Sequence, residues 1–127
     1  MLADTPIVAV LAVSDLERAR EFYGGLLGLP AEPADEPDGV VYRCGGDTRV
    51  LVYQSRFAGT NHATAAGWRV DDLEATVAEL QRRGVRFEQY DEIPGVRRDG
   101  VIHRADGVAG AWFKDPDGNI LALNSRR

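Results

Sequence analysis

The apolar and polar positions fall in blocks, and the spacing within each block predicts the element it forms. Residues 7–13 (IVAVLAV) are an unbroken apolar run between Pro6 and Ser14, with the length and valine content of a buried strand. Leu16, Ala19, Tyr23, Leu26 and Leu27 then recur at helical spacing, with Phe22 beside them. Ser14-Asp15-Leu16-Glu17 has the pattern of a capping box, with Ser14 accepting from the first turn and Glu17 reaching back. Gly28 is a suitable left-handed stop. Residues 29–39 carry three prolines and four acids, and are expected to form a short edge strand and an exposed loop. Residues 40–44 and 49–54 read as two strands joined across Gly45-Gly46-Asp47.

After residues 56–62, which read as a linker, the pattern restarts. Residues 65–70 (AAGWRV) form a strand, and Asp71-Asp72-Leu73-Glu74 is a second capping box. Leu73, Val77 and Leu80 form a helical stripe that ends at Gly84. A short strand over 85–88, a loop over 90–100, and strands near 101–104 and 110–114 follow. Asp115-Pro116-Asp117-Gly118 has the chemistry of a tight turn: Pro pre-sets φ, the Asp side chains hold nearby N–H groups, and Gly closes it. The turn leads into a last strand over 120–124 with few polar residues on either face.

The two halves repeat. VSDLER at Val13 matches VDDLEA at Val70, an offset of 70 − 13 = 57 residues, and each half reads strand–helix–strand–strand–strand. One such unit leaves a sheet face uncovered, so two must pair: the chain is expected to be one α+β domain built of modules over about 1–55 and 63–127.

Composition narrows the function classes. Net charge is −5, with 20 acids against 15 bases, and the basic residues cluster only in pairs, so no nucleic-acid surface is expected. No apolar run approaches the roughly 20 residues that span a bilayer. The start of the chain has no basic segment followed by an apolar one, and the single Cys44 suits a reducing compartment, so a cytoplasmic protein is expected.

VSDLERAREFYGGLLGL, VDDLEATVAELQRRGV and WFKDPDGNILAL together resemble the vicinal oxygen chelate superfamily, which includes glyoxalases, bleomycin-resistance proteins and extradiol dioxygenases. The resemblance implies two βαβββ modules paired into a half-barrel cup with helices outside, and a homodimer. It also implies where a metal would be held. One recurrent ligand lies five residues before the valine that precedes each helix, here Val8 and Ala65. Another lies three residues after the Asn of the DPDGN turn, here Ala122, with Val52 as its first-half counterpart. None of these side chains offers the oxygen or nitrogen that a divalent ion needs, so neither a metal nor another cofactor is expected.

Alternation along the strands supplies other candidates. Leu121, Leu123, Phe113 and Trp68 are expected to face the helices. That leaves Ala122, Asn124, Trp112, Arg69 and, as the first-half counterpart of Trp112, Tyr42 on the cup side. His103 joins them if it points inward, whereas His62 reads as a loop histidine with a backbone partner. An apolar cup with aromatic residues and a few polar groups has the composition of a small-molecule pocket. The leading expectation is therefore a metal-independent binder of a planar or aromatic small molecule, of the bleomycin-resistance type. The alternative is a metal-free isomerase, lyase or cyclase using His103, Arg69 or Tyr90 as acid–base groups. A metal-dependent glyoxalase, dioxygenase or thiol transferase is disfavoured by residue type.

Overall fold

The computed structural model describes residues 1–33 and 38–126. A short 3-10 turn, Leu2–Asp4, precedes β1 (Val8–Val13), α1 (Leu16–Arg20), β2 (Gly39–Arg43), β3 (Arg49–Gln54) and β4 (Thr64–Arg69). Then come α2 (Leu73–Arg82), β5 (Arg97–Asp99), β6 (Ile102–Ala105), β7 (Val108–Lys114) and β8 (Ile120–Arg126). The strands form two sheets of order β1-β3-β2 and β4-β8-β7-β6-β5. Each sheet begins with a parallel pair, β1 with β3 and β4 with β8, because the helix carries the chain over before the pairing strand returns. This is the repeated α+β architecture that the sequence predicts. None of the described helices is long and apolar enough to cross a membrane.

Both helix starts differ from the predicted caps in a specific way. Asp15 and Asp72, rather than Ser14 and Asp71, are the N-caps, accepting from the N–H groups of Arg18 and Ala75 at 3.1 Å. Ser14 is thereby free for another partner, described below. The first helix runs from α1 into a π-helical stretch, Glu21–Leu26. The wider coil turns the adjacent Phe22 and Tyr23 both into the core, which the spacing of a regular α-helix does less readily.

The predicted edge strand within 29–39 is reduced to a single bridge, Ala31 with Tyr42; residues 34–37 of that segment lie outside the described residues. The short strand expected over 85–88 is likewise one bridge, Phe87 with Phe113. The loop predicted over 90–100 instead contains β5, which turns at Gly100 (φ 67°) to pair with β6. Three charged residues, Arg97-Arg98-Asp99, give no apolar alternation from which an edge strand could be read.

The helix-facing sides of both sheets share one core. Phe113, fully buried, contacts the rings of Phe22 at 6.3 Å and Phe87 at 5.4 Å, and stacks with Trp68 at 6.4 Å. Leu11, Val13, Val50 and Val52 from the first sheet, and Ala111, Leu121 and Leu123 from the second, complete it.

The DPDG turn ties the halves together. Its Gly118 N–H returns to the Asp115 carbonyl, and Asp115 Oδ1 accepts from the N–H groups of Asp117 and Asn119. The remaining polar groups reach the other half. Tyr23 donates to Asp115 Oδ2 at 2.6 Å, Ser14 donates through N–H and hydroxyl to Asp117, and Asn119 Nδ2 donates to the Ala12 carbonyl at 2.7 Å. Gly59 closes against the same turn, where a Cβ would lie 2.0 Å from the Asp117 carbonyl oxygen.

Candidate functional site

The face of each sheet away from the helices is open. On the first sheet it presents Val8 and Val10 of β1, 41% and 54% exposed, with Leu51 and Tyr53 of β3 beside them. On the second sheet it presents Gly67 and Arg69, Ile120, Ala122 and Asn124, and Gly110 and Trp112.

This placement separates the candidates. Val8, Ala65, Arg69, Trp112, Ala122 and Asn124 lie on open faces, Ala65 at the bulge where the β4–β8 register shifts. Tyr42 and Val52 do not. Val52 is fully buried, and Tyr42 is buried with its ring 6.1 Å from that of Tyr23 beneath the first helix. The reason is register. Tyr42 pairs with Val50 and Val52 with Leu11, and Val50 and Leu11 are helix-facing core residues, so the whole row faces inward. Val52 is thus one residue out of step as the counterpart of Ala122, and Leu51 and Tyr53 are the open-face residues instead.

Trp112 organises the second sheet's open face. It pairs directly with Ala122 on β8, yet its indole Nε1–H donates to Thr64 Oγ1 on β4 at 3.2 Å. Because β8 lies between β7 and β4, the indole must cross β8, where Ala122 and Ile120 point to the same side. Ala122 is accordingly only 9% exposed despite lying on the open face. A methyl group there leaves room for the indole; a longer side chain would compete with it.

Next to this floor is an open recess of about 630 Å³. Trp112, Ile120 and Thr64 line its base, with His62 and Ala63 on one side and residues 89–93 on the other. Tyr90 stands edge-on to Trp112 at 5.5 Å, and both rings meet the His103 imidazole, at 5.7 and 4.9 Å. Burial and the nearby Glu88 raise the Tyr90 phenol above its ordinary pKa, so it is a hydrogen-bond donor rather than a base. Asp91 and Glu92 line the recess, Asp91 paired with Arg98 at 2.6 Å, and no Lys or Arg is among the described residues that line it.

His103 points to the open-face side but is 3% exposed. Its Nε2 accepts from the Tyr90 N–H at 3.0 Å, and its Nδ1 lies 3.1 Å from the Val101 carbonyl. A carbonyl only accepts, so Nδ1 carries the proton and Nε2 is the acceptor. With both nitrogens engaged by backbone, His103 has no free lone pair to offer a substrate, and the acid–base role expected of it is not available in this arrangement. His62, expected to be a loop histidine, is exposed at the recess. Its place, and those of Thr64, Gln89, Glu92 and Ile93, depend on loop and bulge geometry that carries no periodic signal.

The positions at which metal ligands were expected offer no donor. Val8, Ala65 and Ala122 are apolar, and Val52 is both apolar and turned into the core. These residues do not fit a divalent ion. Among the described residues, no group of three or more His, Cys, Asp and Glu is placed to hold one.

The family model of the Glyoxalase/Bleomycin resistance protein/Dioxygenase superfamily matches residues 6–123. The solved structure of TnmS3, an antibiotic binding protein from Streptomyces sp. CB03234, is 27% identical, with a TM-score of 0.71 over 100% of this chain and 99% of that one. A glyoxalase/bleomycin resistance protein from the same organism is 27% identical, with a TM-score of 0.65 over 94% and 99% of the two chains. A lactoylglutathione lyase from Agrobacterium tumefaciens shares the fold at 20% identity, with a TM-score of 0.65 over 96% and 93%. No curated protein matches the chain by sequence.

Proposed function

The chain belongs to the Glyoxalase/Bleomycin resistance protein/Dioxygenase superfamily, and from that premise we propose that it is a metal-independent, cytoplasmic binding protein for a planar or aromatic small molecule. One observation carries this reading: the indole of Trp112 lies across the strand position where metal-dependent relatives are expected to hold a glutamate, and that position is Ala122. The surface at that point is an aromatic floor with Tyr90 as an edge-on wall, suited to stacking and to shape rather than to polarising a substrate. Similarity over its full length to an antibiotic binding protein supports a small-molecule ligand.

The recess is open to one side, and among the described residues the first sheet's open face leaves Val8, Val10 and Tyr53 exposed beside Arg43 and Arg49. A second copy that lays its Val8–Val10–Leu51–Tyr53 surface over the Trp112 recess would cover both, so the working unit is a homodimer. The ligand would lie on Trp112 against Tyr90 of one protomer, with Arg69 and Asn124 further along the same open face, and Val8 of its partner would close over it.

Native mass spectrometry of the purified protein tests the reading, with dimer mass and a retained organic small molecule as the expected result. Quenching of Trp112 fluorescence by planar aromatic compounds, read in a Trp68→Phe background, tests the floor. Stoichiometric zinc, nickel, manganese or iron bound through the open face would overturn the proposal.

A further inference from the structure

One wall of the recess is made by five consecutive residues, Gln89 to Ile93, that belong to no strand. The chain leaves the second sheet after Glu88, whose N–H bonds the Trp112 carbonyl, and rejoins it at β5. Between these points it is tied by the Asp91–Arg98 ion pair, one turn bond from Val96 N–H to the Ile93 carbonyl, and the bond from Tyr90 N–H to His103. Of these three, only the last reaches a buried side chain.

His103 is built into this position. It pairs across β6–β7 with Gly110, which has no side chain to compete for the space, and with Arg98 on β5. The imidazole sits edge-on to Trp112, so the same ring that holds the wall's backbone also abuts the floor. A phenylalanine could fill the volume but could not accept the Tyr90 N–H. The opposite tautomer would set one N–H against another.

We infer that His103 is a positioning residue, held as the Nδ1–H tautomer, that fixes the Tyr90 wall at its distance from Trp112 and so preforms the recess. It acts through Tyr90 and touches no ligand. The consequence for affinity rests on the small-molecule reading, since a preformed recess loses less conformational freedom when it is filled. The positioning itself does not.

The test therefore uses the full-length protein without ligand. Nitrogen-15 chemical shifts of His103 are expected to show a protonated Nδ1 and an unprotonated Nε2. In His103→Phe the Tyr90 amide is expected to exchange with deuterium roughly tenfold faster or more, and Trp112 emission to shift. His103→Gln, which places an oxygen near the Nε2 position, is expected to restore both. A protonated Nε2 in the native protein, Tyr90 exchange unchanged in His103→Phe, or no recovery in His103→Gln would each overturn the assignment. If His103→Phe fails to fold, the native tautomer and the His103→Gln exchange rate still decide. Failure to retain or bind any small molecule would count against the binding function and leave these readouts standing.

Discussion

The phenol of Tyr23 donates a 2.6 Å hydrogen bond to the carboxylate of Asp115, 92 positions further along the chain, with both residues buried. It links the first helix to the turn before the last strand, so it joins the two halves of the repeat. Removing the hydroxyl in Tyr23→Phe is expected to cost about 1.5–3 kcal/mol, the range for a hydrogen bond to a charged group, measured by urea denaturation. A loss below about 0.5 kcal/mol would mean that this bond contributes little to holding the halves together.

The same phenol predicts an alkaline limit. Burial, then the charge of and bond to Asp115, raise its pKa well above the ordinary tyrosine value. A group whose folded pKa is raised contributes its full stability below its unfolded pKa, about 10, and loses it as pH rises beyond that. Stability should hold to about pH 10 and then fall, less steeply in Tyr23→Phe. Tyr42 and Tyr90, also raised, act in the same direction in both proteins.

Gly59 tests how closely the linker must dock on the turn. Its φ is +71°, and an added Cβ would meet the Asp117 carbonyl oxygen at 2.0 Å. Both penalties fall on one substitution, and neither can be relieved by rotating a side chain. Gly59→Ala is expected to destabilise by more than about 1–2 kcal/mol, which the left-handed backbone alone would cost. An unchanged melting temperature would show that the linker moves away freely.

Ala122→Glu places the family's carboxylate under the Trp112 indole. We expect no metal retained after dialysis against zinc, since Val8, Ala65 and Val52 still offer no donor, and a loss of about 1–3 kcal/mol from overpacking. The double variant Ala122→Glu/Trp112→Ala should recover part of that loss, because the two side chains compete for one space. Additive effects would mean that the indole does not lie over Ala122.

Val10→Asp probes the uncovered face. Val10 is 54% exposed, so the charge should cost the isolated fold little. In a dimer closed over this face it would be buried unpaired, and the native mass is expected to shift to monomer. A dimer that persists would place the interface elsewhere.

The sequence by itself determined both helices, seven of the eight described strands, their repetition and the family, because these rest on short-range regularities. The helical stripe of Leu73, Val77 and Leu80, the turn chemistry of Asp115 to Gly118, and the match of Val13 with Val70 all lie within windows that local sterics govern. It also determined that Ala122 cannot bind a metal, since residue type alone decides that. The tertiary structure decided what depends on register and on partners distant in the chain. Tyr42 and Val52 turned to the core because strand parity inverts with a single-residue error. Ser14 left its expected cap for Asp117, 103 residues away. His103 went from candidate acid–base group to a neutral ring with both nitrogens bound, because its partners, Tyr90 N–H and the Val101 carbonyl, are backbone groups that no side-chain pattern records. Side-chain chemistry is written locally in a sequence, but a hydrogen bond's partner is chosen only when the chain has folded.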